Sequence, residues 1–178
     1  MLLTQFASPL TAQGLAAEVM LTRTDLKVSS PDFSAGGTLP VNFTCDGAGE
    51  PPIVRWSTPP TGTKSFMVLM ETEPGPPRPG DPPTNSGDYS WTLYDIPAKV
   101  RSTAKKQGVT GHNSHNPELA YAPPCSQGPG EHTYTITVYA LSRRLKVSAA
   151  SANGDALKAL AGTITLESAS ITTVATRS

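Results

Sequence analysis

The chain has 178 residues, enough for one domain with a substantial core, and its 14 basic residues balance its 14 acidic ones. A formal net charge of zero argues against a nucleic-acid-binding protein, because such proteins normally carry a basic face. Only 16% of residues are charged, and the many Ser, Thr and Pro residues favour strands and ordered loops over long helices.

Residues 1–20 are weakly patterned and predict a loosely docked arm ahead of a single domain over residues 21–178. This arm lacks the basic start and the unbroken apolar stretch of a signal peptide. A cytoplasmic protein, and a secreted or periplasmic one whose signal has been removed, are both compatible with the sequence. No run of 18 apolar residues is present, so no transmembrane helix is expected.

Short strands separated by turns are predicted for the first half of the domain. Alternation over Leu21–Val28 indicates a first strand, and a second is expected over Val41–Cys45. A third short strand is expected over Ile53–Trp56. The most continuous apolar run lies within Ser65–Glu71 and predicts a central strand that is buried on both faces.

The second half of the chain predicts further strands and short helices. The remaining predicted elements are a strand over Trp91–Ile96, a basic solvated connection over residues 98–108, a strand that ends at Leu141, a helix over Asp155–Ala161, a second short helix over Thr163–Ala169 and a closing strand over Ile171–Ala175. In the first of these helices, Leu157, Leu160 and Ala161 are expected to pack inward.

A proline-rich loop runs into a strand within the stretch from Tyr121 to Leu141. Prolines and glycines stiffen the loop, and strict alternation puts His132 and Tyr134 on one face of the strand. An imidazole and a phenol held together at the start of a strand can bind an anion or transfer a proton. The alternative is a buried pair that satisfies only its own hydrogen bonds.

Histidines and cysteines allow two further predictions. His112, His115 and His132 are all the histidines present, but their spacing does not match a zinc motif, so no metal or cofactor is expected. Cys45 and Cys125 permit one disulfide across 80 positions, whereas two buried free thiols fit the count equally well.

Several segments resemble the phosphatidylethanolamine-binding protein family, in particular its bacterial and archaeal Raf-kinase-inhibitor-like (YbhB/YbcL-type) branch. The segments that carry the resemblance are Thr44-Cys45-Asp46-Gly47, Pro51-Pro52 with Trp56, Gly62-Thr63-Lys64-Ser65, Trp91 with Ile96-Pro97, Gly111-His112-Asn113, the Gly-x-Gly-x-His-x-Tyr run that ends at Tyr134, and Leu157 to Leu166. The chain departs from the family at the first signature, where Glu71-Thr72-Glu73 replaces Asp-Pro-Asp, and at Ser90, which replaces a histidine.

The resemblance implies a mainly β fold, with a large central antiparallel sheet packed against a smaller sheet and two or three short peripheral helices. It also implies a small pocket for phosphate or a phospholipid head group at one end of the sheet. The residues expected to line this pocket are Glu71, Ser90, Trp91, Pro124, His132 and Tyr134. Cys45 and Cys125 follow family landmarks in loops near it.

Three functions are compatible with this reading. The first is a non-catalytic protein that binds a small anion or phospholipid head group. The second is a hydrolase or acid–base enzyme that uses Glu71 and His132, with Ser90 or Cys125 as candidate nucleophile. The third is inhibition of a peptidase or kinase through the proline-rich loop over residues 72–89. The sequence leaves open whether the chain forms a homodimer.

Overall fold

The computed structural model describes residues 25–73, 87–125 and 130–177. The predicted N-terminal arm, residues 21–24 of the first predicted strand and residues 74–86 of the proline-rich loop over 72–89 fall outside these ranges. Of the described half of that first predicted strand, only Val28 belongs to a strand, so the predicted bounds Leu21–Val28 are wrong. The described elements are β1 (Val28–Ser29), β2 (Arg55–Trp56), β3 (Ser65–Thr72), β4 (Asp88–Pro97), β5 (Val109–Thr110), β6 (Gly130–Leu141), α1 (Gly154–Ala161) and β7 (Thr165–Arg177). Three 3₁₀ turns cover Val41–Phe43, Thr103–Lys105 and Ala149–Ser151.

Five strands form one antiparallel sheet in the order β5-β4-β3-β6-β7, and β1 pairs with β2 in a separate two-stranded sheet. This arrangement confirms the predicted mainly β fold with a large and a small sheet. The described residues contain one α-helix, and none of their helices is long and apolar enough to span a membrane.

The central strand β3 organises two separate cores. Its first six residues, Ser65–Met70, are buried, which confirms the prediction of a central strand covered on both faces. On one face, Phe66, Val68 and Met70 pack with residues of β4 and β6 and with loops from the N-terminal part of the domain. On the other face, Met67 and Leu69 pack beneath α1.

Two predicted elements are wrong. Val41–Cys45 forms no strand, because Pro40 and Val41 accept the backbone hydrogen bonds of Phe43 and Thr44, at 3.0 Å each, and wind the chain into a 3₁₀ turn. The second predicted helix, over Thr163–Ala169, is instead the start of β7, which pairs with β6 along nearly its whole length. Apolar periodicity over so short a segment cannot separate helix from strand, and sheet pairing decides.

Helix α1 forms where predicted, with Asn153 as its N-cap. The Asn153 side chain accepts a hydrogen bond from the Ala156 N–H at 2.9 Å. Leu157 and Ala161 are buried as predicted, but Leu160 is 46% exposed. The helix therefore covers the sheet with a narrower apolar stripe than the sequence suggested.

Candidate functional site

The candidate site lies where β3, β4 and β6 meet at one end of the sheet. The register pairs Thr72 of β3 with Tyr134 of β6 on one side and with Asp88 of β4 on the other. Directly paired residues share a face, so these three side chains form a row about 10 Å across. His132 lies on the same face of β6, two residues before Tyr134 and opposite Ala175 of β7. We call Tyr134, Thr72 and Asp88, together with His132, the strand-end row.

A bulge in β4 places Ser90 beside this row. The pairing with β3 shifts after Met70, so Ser90 and Trp91 both stand opposite Met70, which belongs to the same core face as Tyr134. Ser90 is fully buried, and its Oγ has no hydrogen-bond partner in the described part of the chain. Among the described residues, the one other buried side-chain nitrogen or oxygen without a hydrogen-bond partner is Trp56 Nε1.

Tyr134 differs from other tyrosines in its hydrogen bonding. Three other tyrosine hydroxyls donate to protein oxygens: Tyr89 to Asp155 Oδ1 at 2.9 Å, Tyr94 to Val147 O at 2.9 Å and Tyr121 to Phe43 O at 2.7 Å. The Tyr134 hydroxyl has no partner among the described residues, although its side chain is only 3% exposed. Burial raises the pKa of the Tyr134 phenol, and the negative charge of Asp88 raises it further, so the hydroxyl keeps its proton and is able to donate it.

Glu71 lies on the opposite face of the sheet from His132. Its carboxylate accepts two hydrogen bonds from Lys158 Nζ of α1, at 3.1 and 3.2 Å. Successive strand residues alternate in direction, so it is Thr72, and not Glu71, that shares the face of Tyr134. The predicted acid–base pairing of Glu71 with His132 is therefore wrong.

A different carboxylate, that of Asp88, shares the face of Tyr134 and His132. The sequence did not single out this residue. Its Oδ1 lies 3.1 Å from His115 Nε2, and both side chains are close to half exposed. The second oxygen, Oδ2, has no partner in the ranges that the structure describes. The signal for Asp88 was its position two residues before Ser90, which puts both residues on one face of a regular strand.

A buried asparagine brings His115 to this position. Asn113 Oδ1 accepts hydrogen bonds from the His115 and Asn116 backbone amides, at 2.8 and 2.9 Å. Its amide nitrogen donates to Asn116 Oδ1 and to the carbonyls of Glu118 and Ala120. One side chain thus fixes the loop that carries His115, whose ring lies beside the Asp88 carboxylate.

Replacing this side chain by Asn113→Ala is expected to lower the free energy of unfolding by about 2 kcal/mol, because several backbone groups lose their partners at once. Urea denaturation followed by circular dichroism measures the change. Asn42→Ala is the matched control, since the Asn42 side chain is exposed and should change stability by less than about 0.5 kcal/mol. Equal stabilities for the two variants would contradict the anchoring role of Asn113.

Two described clefts are lined by neighbours of the strand-end row, although no residue of the row itself lines either of them. The smaller, of about 270 Å³, is lined in part by Pro124 and by Ala175, the cross-strand neighbour of His132. The larger, of about 660 Å³, is lined in part by Trp91 and Tyr121, whose rings meet edge to face at 5.9 Å. Residues 74–86 and 126–129, where the rim of the predicted pocket falls, lie outside the described residues.

Cys45 and Cys125 are joined by a disulfide with a Cα–Cα distance of 5.3 Å. The Cys45 N–H also donates to the Pro124 carbonyl at 3.1 Å. Together these links hold the loop before β6 against the N-terminal part of the domain. No group of three His, Cys, Asp or Glu side chains suited to a metal ion occurs among the described residues.

Sequence and structure comparisons place the chain among known proteins. Residues 29–175 match the sequence profile of a family described as phosphatidylethanolamine-binding protein. A UPF0098 protein of Aquifex aeolicus is 32% identical over 130 residues, which cover 66% of this chain and 68% of that protein. The UPF0098 protein YbcL of Escherichia coli is 31% identical over 133 residues, covering 65% of this chain and 68% of that protein.

Two solved structures share the fold. CT736 of Chlamydia trachomatis, described as a phosphatidylethanolamine-binding protein homolog, has a TM-score of 0.73 at 24% identity, covering 86% of this chain and 99% of that one. Escherichia coli YbcL, described as a new member of the mammalian family, has a TM-score of 0.72 at 25% identity with the same coverage. The matched range 29–175 includes all the residues of the strand-end row.

Proposed function

The chain belongs to the phosphatidylethanolamine-binding protein family, and on that premise we propose that it binds a small oxyanion of the phosphate type at the strand-end row, without catalysis. The observation that carries this proposal is the set of unpartnered polar groups there. Ser90 Oγ is buried without a partner, and neither the Tyr134 hydroxyl nor the His132 ring has one in the described part of the chain.

Ser90 Oγ is the group of this site that most requires an explanation, because a buried polar atom without a hydrogen bond is costly and rare. A hydroxyl left without a hydrogen bond destabilises the folded state by about 1–3 kcal/mol. A tetrahedral oxyanion has several acceptor oxygens, and the Ser90 and Tyr134 hydroxyls together with a His132 N–H are donors that suit it. Binding such an anion would satisfy these groups at once.

The enzymatic alternative finds no support in the arrangement of the side chains. Glu71, its proposed acid or base, is paired with Lys158 on the other face of the sheet. Ser90 Oγ makes no hydrogen bond to a histidine or carboxylate that would activate it as a nucleophile. The inhibitor alternative depends largely on residues 74–86, which lie outside the described ranges.

Tyr134→Phe is expected to weaken the binding of inorganic phosphate about tenfold, because it removes one donor and leaves the ring in place. His132→Ala is expected to weaken binding at least as much. Isothermal titration calorimetry measures both changes. Tyr94→Phe is the matched control, because Tyr94 lies in the core beneath α1 and its hydroxyl is already bonded to Val147 O.

Two outcomes would overturn the proposed function. One is unchanged phosphate affinity in both Tyr134→Phe and His132→Ala. The other is turnover of an activated phosphate ester by the wild-type protein that disappears in His132→Ala, since this would make the site catalytic.

A further inference from the structure

We propose that the Cys45–Cys125 disulfide is a redox control of the strand-end row: the row binds phosphate tightly while the bond is intact, and more weakly once a dithiol has reduced it. The bond joins residues 121–125, which we call the tethered segment, to the N-terminal part of the domain. This inference rests on the proposed function and adds a regulation of the same site.

The tethered segment packs against two of the proposed phosphate donors. The Ala122 N–H donates to the Ser90 carbonyl at 2.8 Å, so the segment runs beside the residue whose buried Oγ has no partner in the described part of the chain. Burial raises the pKa of the Tyr121 phenol, and the neighbouring Tyr134 phenol raises it further, which places these two rings close together. The position of the segment therefore shapes the surroundings of both Ser90 and Tyr134.

Three links in the described part of the chain hold the tethered segment in this position. The Tyr121 hydroxyl donates to the Phe43 carbonyl at 2.7 Å, and the Cys45 N–H donates to the Pro124 carbonyl at 3.1 Å. The third link is the disulfide, which is covalent and closes 80 positions of chain. Two hydrogen bonds restrict the segment much less than this bond does, so its reduction gives the segment new freedom.

The same bond joins two parts of the lining of the smaller cleft. Thr44 and Asp46 flank one cysteine, Pro124 precedes the other, and all three line this cleft. Ala175, the cross-strand neighbour of His132, lines it as well. Reduction would therefore loosen the structure next to the strands that carry the His132 ring as well as next to Ser90.

The disulfide is open to attack by a thiol. Cys125 is exposed, whereas Cys45 is partly buried. Exchange requires access to a sulfur, and exposed disulfides are the ones that serve as labile, regulatory bonds. One thiolate of a dithiol attacks Cys125 Sγ, the S–S bond breaks, and Cys45 leaves as a thiolate.

The second thiol of the dithiol then attacks the mixed disulfide and releases Cys125. The dithiol loses two electrons and two protons and becomes a disulfide, and the protein gains them as two thiols. In the oxidised protein phosphate meets donors that are already in position. In the reduced protein, part of the binding free energy is spent on ordering the tethered segment.

The test compares the binding of inorganic phosphate to the oxidised and the dithiothreitol-reduced wild type by calorimetry. The measurements are made at about 15 °C, near the usual maximum of stability, and circular dichroism verifies that both forms are folded. Reduction should weaken binding at least about fivefold, and reoxidation should restore it. Cys45→Ser/Cys125→Ser should bind like the reduced form and should not respond to dithiothreitol.

A redox titration gives a second, independent measurement. Because coupling between two equilibria is reciprocal, saturating phosphate should raise the ratio of reduced to oxidised dithiothreitol at half-reduction by the same factor by which reduction weakens binding.

Two tyrosine variants form a matched pair. Tyr121→Phe removes another link of the tethered segment and should enlarge the effect of reduction. Tyr94→Phe removes a comparable hydrogen bond beneath α1 and should keep the wild-type factor.

The outcomes separate this inference from the proposed function. If the folded, reduced protein binds phosphate as tightly as the oxidised one, or if the bond is reduced only when the protein unfolds, the redox control is overturned while phosphate binding at the strand-end row stands. If neither form binds phosphate, the proposed function and this inference both fail.

Discussion

Removing the disulfide with the double variant Cys45→Ala/Cys125→Ala is expected to lower the free energy of unfolding by about 4 kcal/mol. The bond closes a loop of 80 positions, and the loss of chain entropy in the unfolded state scales with the logarithm of that length. For a domain of this size, about 4 kcal/mol corresponds to a fall in melting temperature of roughly 8–16 °C.

Differential scanning calorimetry with and without reductant supplies the measurement and its control. Reductant should lower the melting temperature of the wild type by a similar amount and leave the alanine variant unchanged. Alkylation of both cysteines without reductant, detected by mass spectrometry, would show that the bond is absent in solution. A melting temperature that is equal in wild type and variant would contradict its stabilising role.

The predictions for β3 and β6, which depended on the pattern of apolar residues along each strand, were the most accurate. The alternation in β6 correctly placed His132 and Tyr134 on one face, since a two-residue period is a local property of the chain. The structure shows that Tyr134, Ile136 and Val138 on this face are buried. The apolar run in β3 was likewise enough to identify the central strand. Both signals depend only on residues within one element.

The sequence did not reveal on which face of the sheet Glu71 lies. Aligning Glu71 with the first acid of a family signature sets its position along the strand, but not the face on which it lies. The face of Glu71 is decided by the register of β3 with its neighbours, in which Thr72 and not Glu71 pairs with Tyr134. That register includes a bulge in β4, which the sequence does not reveal. An offset of one residue moved the expected carboxylate to the face beneath α1.

Asp88 and His115 were missed for a different reason. Their contact joins the start of β4 to a loop 27 positions later, and this loop takes its shape from the five hydrogen bonds of one buried asparagine. The Gly-x-Asn pattern at Gly111 and Asn113 was noted only as a family resemblance. The structure supplies its physical basis: the asparagine orders the loop, and the glycine lets the chain approach the sheet.

This close approach makes Gly111→Ala the second variant with a large expected effect, a loss of about 3 kcal/mol of unfolding free energy. A Cβ at Gly111 would lie 2.2 Å from the Ala152 carbonyl oxygen and 2.8 Å from Thr92 Oγ1. Backbone atoms cannot turn away from such a contact as a flexible side chain can. The segment must therefore move, at the expense of the hydrogen bonds from the Gly111 N–H to Thr92 O at 3.1 Å and from the His112 N–H to Ala152 O at 2.8 Å.

Chemical denaturation of Gly111→Ala beside Gly162→Ala isolates this steric effect. The nearest atoms to a Cβ at Gly162 lie at 3.5 and 3.6 Å, an ordinary contact distance, so that variant should change stability by less than about 0.5 kcal/mol. Displacement of the segment in Gly111→Ala should also separate His115 from Asp88, and faster amide hydrogen exchange at His115 and Asn116 would report it. Native stability and unchanged exchange in Gly111→Ala would show that the segment adapts to the added methyl group, and that the His115–Asp88 pair does not depend on this close packing.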